Sequence, residues 1–308
     1  MFVFAERFDE FLHFFLTFAV DCVADACLFF FPFARPVVLG WVLSMGVVRH
    51  YVAAVAAHCN YFASRRTSYK HIQAVIELLR SMDTGRPLIR LGGAGDGGYL
   101  IPDDLQGIRA CFSPGVAAQA TFEKELQHRG ISSYLADYSV LGPPPDCASM
   151  SFEKKFLGAY DSDIFTTLAS WVGRHPETAE GDLLLQMDVE GAEYEIIANI
   201  DPVLLRRFRI LVIEFHDFEC LAQPFGYRRI FEALTKLSHD FVPVHLHPNN
   251  YAGIAHIGPL RVPRMLEISY LRRDRCSTLT PRQNFPHPED RDNVPNKPSA
   301  PLPRQWFS

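Results

Sequence analysis

The sequence predicts an α/β fold on an open, parallel-type sheet, and three stretches carry that prediction. The first is Asp182 to Ile197, DLLLQMDVEGAEYEII. Leu183 to Met187 is a short apolar run without Gly or Pro, as expected of a strand buried on both faces. It ends in Asp188-Val189-Glu190-Gly191-Ala192-Glu193, three carboxylates around a glycine, and hands over to a helix from Tyr194 to Ile200. The second is Arg209 to Glu214 (RILVIE), another buried strand, ending in Phe215-His216-Asp217. The third runs from Ile108 to Asp137: a strand to Phe112, the turn Ser113-Pro114-Gly115-Val116, a helix from Gln119 or Ala120 to Gly130, and a strand Ser132 to Ala136 closed by Asp137. Open α/β sheets place ligand sites at the carboxyl ends of their strands. There a glycine lets backbone approach a nucleotide-type ligand, and an acid after the second strand accepts hydrogen bonds from ribose hydroxyls.

Length and charge narrow the choices. The 308 residues suffice for one sizeable α/β domain with extra segments, and 48% hydrophobic with 21% charged residues is ordinary globular composition. A net charge of −5 gives no electrostatic footprint for nucleic acid, and no basic run supplies one locally. Seven cysteines, odd in number and never spaced as CxxC, argue against a disulfide framework or zinc knuckle and fit a reducing compartment.

Residues 1–66 differ from the rest. Phe11 to Phe33 is dense in Phe but carries His13, Asp21 and Asp25 and meets Pro32; Val37 to Val48 is a second apolar run of a dozen residues. Neither is a clean membrane span, and the basic start of a signal peptide is missing. Three readings stay open: a membrane-associated helical hairpin, a helical extension packed on the main domain, or an extension without a fold of its own. The expected location is the cytoplasm, with peripheral attachment to the inner face of a membrane as the alternative.

From residue 67 a globular domain is expected. Tyr69 to Met82 carries a helical stripe at Ile72, Val75, Ile76 and Leu79. Arg90 to Pro102 holds five glycines in seven residues. It is no P-loop, because no Gly-Lys-Ser/Thr follows, and it does not match the GxGxxG of nicotinamide-dinucleotide sites. It reads as a tight connection between two short extended segments or as a backbone lip over a ligand. Gly142 to Met150 is a loop, Thr166 to Val172 a short helix, and Tyr227 to Ser238 a helix with its stripe at Ile230, Phe231, Leu234 and Leu237. Phe241 to His247 and Met265 to Leu271 are the last strands. Residues 277–308, rich in Pro, Asn and charge without periodicity, read as a disordered tail.

Residues 88–276 resemble the FkbM-type S-adenosylmethionine-dependent methyltransferases, most closely a bacterial branch often associated with surface-polysaccharide genes. The resemblance rests on DVEGAEYEII (188–197), RLGGAGDGGYLIPDD (90–104), VIEFHDFE (212–219) and HLHPNN (245–250). It implies a class I methyltransferase fold, Rossmann-like: a mostly parallel sheet with one reversed strand and helices on both faces. It also implies S-adenosylmethionine as cofactor, with Gly115 where its methionine part passes, Asp137 as the ribose acid, Asp188 and Glu190 beside the reacting centre, and Asp96 as a further contact. Where such enzymes usually carry acid-x-Gly-x-Gly, this chain has Cys111-Phe-Ser-Pro-Gly-Val116, with one glycine. The implied reaction is O-methylation of a hydroxyl on a sugar or glycan precursor. The rival reading is a silent module that binds cofactor or glycan without turnover, and a third puts the function in residues 1–66.

Methyl transfer to a hydroxyl requires an aligned acceptor and a base. Asp188 with Glu190, Glu214 with His216, and His245 with His247 lie at the carboxyl ends of predicted strands and would share one edge. His216 is the first choice as base because imidazole titrates near neutrality, and His247 the second. No metal is expected, although Asp188, His216 and His247 form a donor set for one. For His245 and His247 the plain alternative is one face of an edge strand making ordinary hydrogen bonds.

Overall fold

A computed structural model describes residues 65–116 and 119–308; the readings made for residues 1–64 lie outside them. The seven strands of the main sheet are β1 (Ile108–Pro114), β2 (Ser132–Ala136), β3 (Ser151–Glu153), β4 (Asp182–Met187), β5 (Phe208–Phe215), β6 (Phe241–Pro248) and β7 (Leu266–Arg272). Their spatial order is β6-β7-β5-β4-β1-β2-β3. β7 runs antiparallel to both its neighbours, and every other pairing is parallel. This is the mostly parallel, one-reversed-strand sheet of a Rossmann-like methyltransferase fold.

Burial explains why the middle of this sheet was legible. All eight residues of β5 are buried, as are five of the six in β4. Helices cover one face: α1 (Tyr69–Leu78), α3 (Leu168–Gly173), α4 (Glu193–Asn199) and α5 (Pro224–Asp240) pack Ile72, Trp171, Tyr194 and Leu234 against Leu185, Met187 and Ile213. The Ser68 side chain caps α1 by accepting from His71 N, Thr167 caps α3 from Ser170 N, and Pro224 sits in the first turn of α5.

The opposite face is covered by α2 (Thr121–His128) and by the glycine block. Leu88–Leu91 and Tyr99–Pro102 pair as an antiparallel hairpin, so the tight-connection reading describes this block. Phe122, Tyr99 and Ile101 pack on Leu184 and Val212 from that side. The loop between the hairpin strands is held by Arg90, which donates to the carbonyls of Gly93 (3.1 Å) and Gly95 (3.2 Å). Gly98 has no room for a side chain, because a Cβ there would overlap the Gly93 carbonyl.

Two elements depart from the sequence expectation. β3 falls directly after the expected loop, and its three residues, at the sheet margin and only partly buried, are too few to show a pattern. The tail is a correction of larger consequence: residues 277–308 are ordered against the domain, within the compact unit Arg66–Ser308. Thr280–Pro281 pairs with Met82–Asp83. Trp306 is 1% exposed, meets Phe218 edge-on and donates from its indole N–H to the Arg261 carbonyl at 3.0 Å. The tail is irregular in backbone yet fixed by side chains, so periodicity gave no sign of it. The aromatics Phe285, Trp306 and Phe307 were the only hint.

Among the described residues, no helix is long and apolar enough to cross a membrane.

Candidate active site

The sheet has two unlike edges. At its amino edge the acids meet arginine: half-buried Asp182 pairs with Arg209 and Arg272, both at 2.7 Å, and buried Asp104 with Arg275 at 2.7 Å. Arg275, Arg209 and Arg86 lower the Asp104 carboxyl despite the opposing effect of burial. At the carboxyl edge acids instead meet acids, histidines and amides. Unmatched charge of that kind is costly to keep for stability alone and marks a functional site.

A cavity of about 180 Å³ opens at this edge between β1, β4 and the hairpin, lined by Asp96, Tyr99, Gly115, Glu123, Gln186 and Asp188 among others. Three of the residues assigned to cofactor contact, Gly115, Asp188 and Asp96, therefore share one wall system. Gly115 is obligatory at its position. Its φ is +86°, and a Cβ would overlap the Asp188 carbonyl, so the turns after β1 and β4 touch backbone to backbone. Asp137 lies at the end of β2, outside the cavity lining, with its Oδ1 accepting from Ser139 N and Oγ, both at 2.7 Å.

Asp188 follows β4, and its Oδ1 is buried without a hydrogen-bond partner among the described residues. Burial pushes its carboxyl up to about 7; His216 pulls it down, while Glu190 and Glu193 add to the rise. His216 follows β5 and is 7% exposed. Its Nε2 lies 3.8 Å from Asp188 Oδ1 and 3.4 Å from Glu190 Oε2, and its Nδ1 lies 3.0 Å from Glu193 Oε1. Burial opposes the imidazolium, but the Glu193 hydrogen bond and the charges of Glu193, Asp188 and Glu190 raise it to about 9. At neutral pH His216 is thus a cation flanked by carboxylates. A ring in that state donates, and Asp188 is the carboxyl it faces at 3.8 Å.

Helix α4 holds this arrangement. Fully buried Glu193 grips the ring and also accepts from Gly191 N at 3.0 Å, while Tyr194 Oη donates to the His216 carbonyl at 2.6 Å. Glu190 and Asp217, both non-glycine, adopt left-handed φ of 54° and 58° on either side of the histidine. Such backbone costs on the order of 1–3 kcal/mol and concentrates at functional turns.

The third pair does not join them. His245 and His247 share one face of the edge strand β6 and meet Asp290 of the tail, at 2.8 and 3.6 Å to the same Oδ1. Neither lines the cavity, so His247 is separated from the donor set Asp188 and His216. Glu214 likewise leaves His216, standing instead beside Glu267 and Asp96.

Sequence reading missed the cavity floor. Ser113 Oγ lies within hydrogen-bond reach of Glu123 Oε1 and, at 2.6 Å, of Gln186 Oε1, whose Nε2 donates to Tyr99 Oη at 3.2 Å. Ser113 has one proton for two acceptors. Burial raises the Glu123 carboxyl, and the Ser113 hydroxyl bond opposes that rise. Helix α2 thus brings a carboxyl, Glu123, to the turn after β1. The available signals were polar residues on faces otherwise read as buried: Gln186 in a run of leucines, and Glu123 beside Phe122.

The donor set suits a sulfonium cofactor. A glycine turn brings backbone to the cavity, and Asp188 and Asp96 give it the negative walls a positively charged sulfur needs. No curated protein matches the chain. An FkbM methyltransferase domain is found at residues 146–243, a span that begins before β3, carries Asp188, Glu190, Glu193, Glu214 and His216, and ends within β6, and it supports a methyltransferase.

Proposed function

We infer that this protein is an S-adenosylmethionine-dependent O-methyltransferase whose acceptor is a hydroxyl, on a sugar or glycan precursor. The observation that carries the reading is Asp188: a carboxyl held near 7 at the wall of the cavity, beside a histidine that is already protonated. A bound cofactor supplies an electrophilic methyl group on a sulfonium. The chain's own task is to align the hydroxyl and take its proton, and a carboxyl titrating near the working pH is suited to that. His216, fixed by Glu193 and Tyr194, orients Asp188 and steadies its charge. Gly115 keeps the two turns close enough to make one wall. Asp137 is assigned to the ribose hydroxyls. The glycan part of this reading rests on the family resemblance and on a wall of acids and amides suited to hydroxyl groups.

One observation favours the rival, a module that binds without turnover: the turn after β1 has a single glycine preceded by proline. Two measurements separate them. Calorimetric titration of S-adenosylmethionine into the full chain tests binding. Transfer of labelled methyl to a panel of free sugars and nucleotide sugars tests turnover. Saturable binding, weakened about tenfold or more by Asp137→Ala, together with transfer supports the enzyme. Binding without transfer to any acceptor favours the module, and no cofactor binding to folded protein sinks the enzyme and leaves the module only as a glycan binder.

A further inference from the structure

Three carboxyls line the cavity at the carboxyl edge, and they differ in what they already meet. Asp188 faces the His216 ring at 3.8 Å. Asp96 is exposed and accepts from Asn293 Nδ2 of the tail at 3.2 Å. Glu123 is 3% exposed, and among the described residues no lysine, arginine or histidine forms an ion pair with it. It shares the single proton of Ser113 with Gln186 Oε1, and Gln186 gives its own N–H to Tyr99 Oη. Glu123, Gln186 and Tyr99 all line the cavity. The floor is therefore one donor short on the side that opens to a ligand.

Helix position alone does not account for this acid. A carboxylate in the first turn of α2 gains from the helix dipole, but that gain is small beside the cost of removing it from water. Burial raises the Glu123 carboxyl, and only hydrogen bonds oppose the rise. The helix holds it rigidly: Phe122 and Leu126 are in the core, and Thr121 Oγ1 accepts from Gly93 N of the hairpin loop at 3.1 Å.

The size of the cavity decides which part of a ligand enters. About 180 Å³ is below the roughly 300–1,000 Å³ that encloses a drug-sized molecule, and Asp137, assigned to the ribose, lies outside it. One end of an extended ligand fits. S-adenosylmethionine has such an end, carrying an α-ammonium with three N–H donors and no acceptor.

We propose that Glu123 is the anion that receives the α-ammonium of the cofactor, with Ser113 and Gln186 holding its carboxylate in place. This rests on the S-adenosylmethionine reading above and adds a residue to it: the amino group is recognised from helix α2. The ammonium supplies the absent donor to the floor and a countercharge to Glu123 together. Glu123 is thereby a determinant of specificity, since a ligand without that amino group leaves a buried carboxylate unpaired.

The test is calorimetric titration of the full chain with S-adenosylhomocysteine and with its analogue lacking the α-amino group. Neither carries a transferable methyl, so turnover does not enter the readout. The wild type should bind the amino compound at least about tenfold more tightly. Glu123→Gln keeps size and removes charge; it should weaken S-adenosylhomocysteine at least about tenfold and leave the deaminated analogue within about twofold. A carboxyl with a purely structural role would change both ligands alike. Glu123→Asp, one methylene shorter, serves where the glutamine variant does not fold, and a reduced preference is expected. A wild type that does not distinguish the two probes, equal weakening of both in Glu123→Gln, an undiminished preference in Glu123→Asp, or a preference lost only in Asp96→Asn would each overturn the assignment. In all four cases the probes still bind, and the cofactor reading stands. Binding of neither probe to folded wild type overturns that reading together with this one.

Discussion

Asp188 and His216 are assigned by their surroundings rather than by their identities. Removing the proposed base while keeping its shape, Asp188→Asn, should lower kcat by about 10²–10⁴-fold and leave cofactor affinity within a few-fold; unchanged kcat would end its candidacy. With Asp188 near 7, activity should rise with pH through about 7 and then level off. In His216→Gln the carboxyl loses its cationic neighbour, so the rising limb should move to higher pH. A limb that stays in place would mean that His216 does not act through Asp188. Histidine suggested a base from sequence because its ordinary value lies near neutrality. What overrode this was Glu193, the first residue of α4, which no spacing rule would have paired with a residue 23 positions on.

At the scale of elements, the sheet was readable because β4 and β5 carry the unbroken apolar runs Leu183–Leu185 and Ile210–Ile213, as burial on both faces demands. The acid-bearing turns followed from their position after those strands. The tail was unreadable for the complementary reason: its fixed points, Asp290, Asn293 and Trp306, are isolated side chains on irregular backbone. Trp306→Ala should cost about 3–5 kcal/mol, read as a lower urea midpoint, because it empties a fully enclosed site. A midpoint unchanged from wild type would return the tail to the status of a loose end. Gly115→Ala should cost at least about 2 kcal/mol, since it combines a left-handed φ with overlap on the Asp188 carbonyl. A fully stable alanine variant would mean that the two turns stand further apart.

For the whole molecule, the raised groups set the pH dependence of folding. His216, raised from 6.5 to about 9, contributes its full stabilisation below about 6.5 and loses it as pH climbs through 9. The amount is at most about 3 kcal/mol. Asp188, raised from 3.8 to about 7, acts in the same direction over a lower window: the native carboxyl keeps a proton that the unfolded chain has released, so stability declines between those values. Asp290, lowered by its two histidines against the effect of burial, works oppositely and loses its contribution only in acid. Urea midpoints should therefore fall from pH 6 to 9.5, and His216→Gln should flatten the part above 6.5. A midpoint that rises over that range would contradict the assignment of both groups.

The unlike edges of the sheet have a further consequence, in the native-state ensemble. Arginines clamp the amino rim through ion pairs that link β4, β5 and β7, so amides there should open only with the global unfolding of the domain. The carboxyl rim is locally frustrated: its contacts compete rather than reinforce one another, and its neighbours are a glycine loop and a tail held by single side chains. Hydrogen exchange should follow that gradient along each strand, slow where β5 begins at Phe208 and faster where it ends at Phe215. Ligands that settle the rim's charge would then be read as protection spreading from one end of the sheet, over residues they never touch.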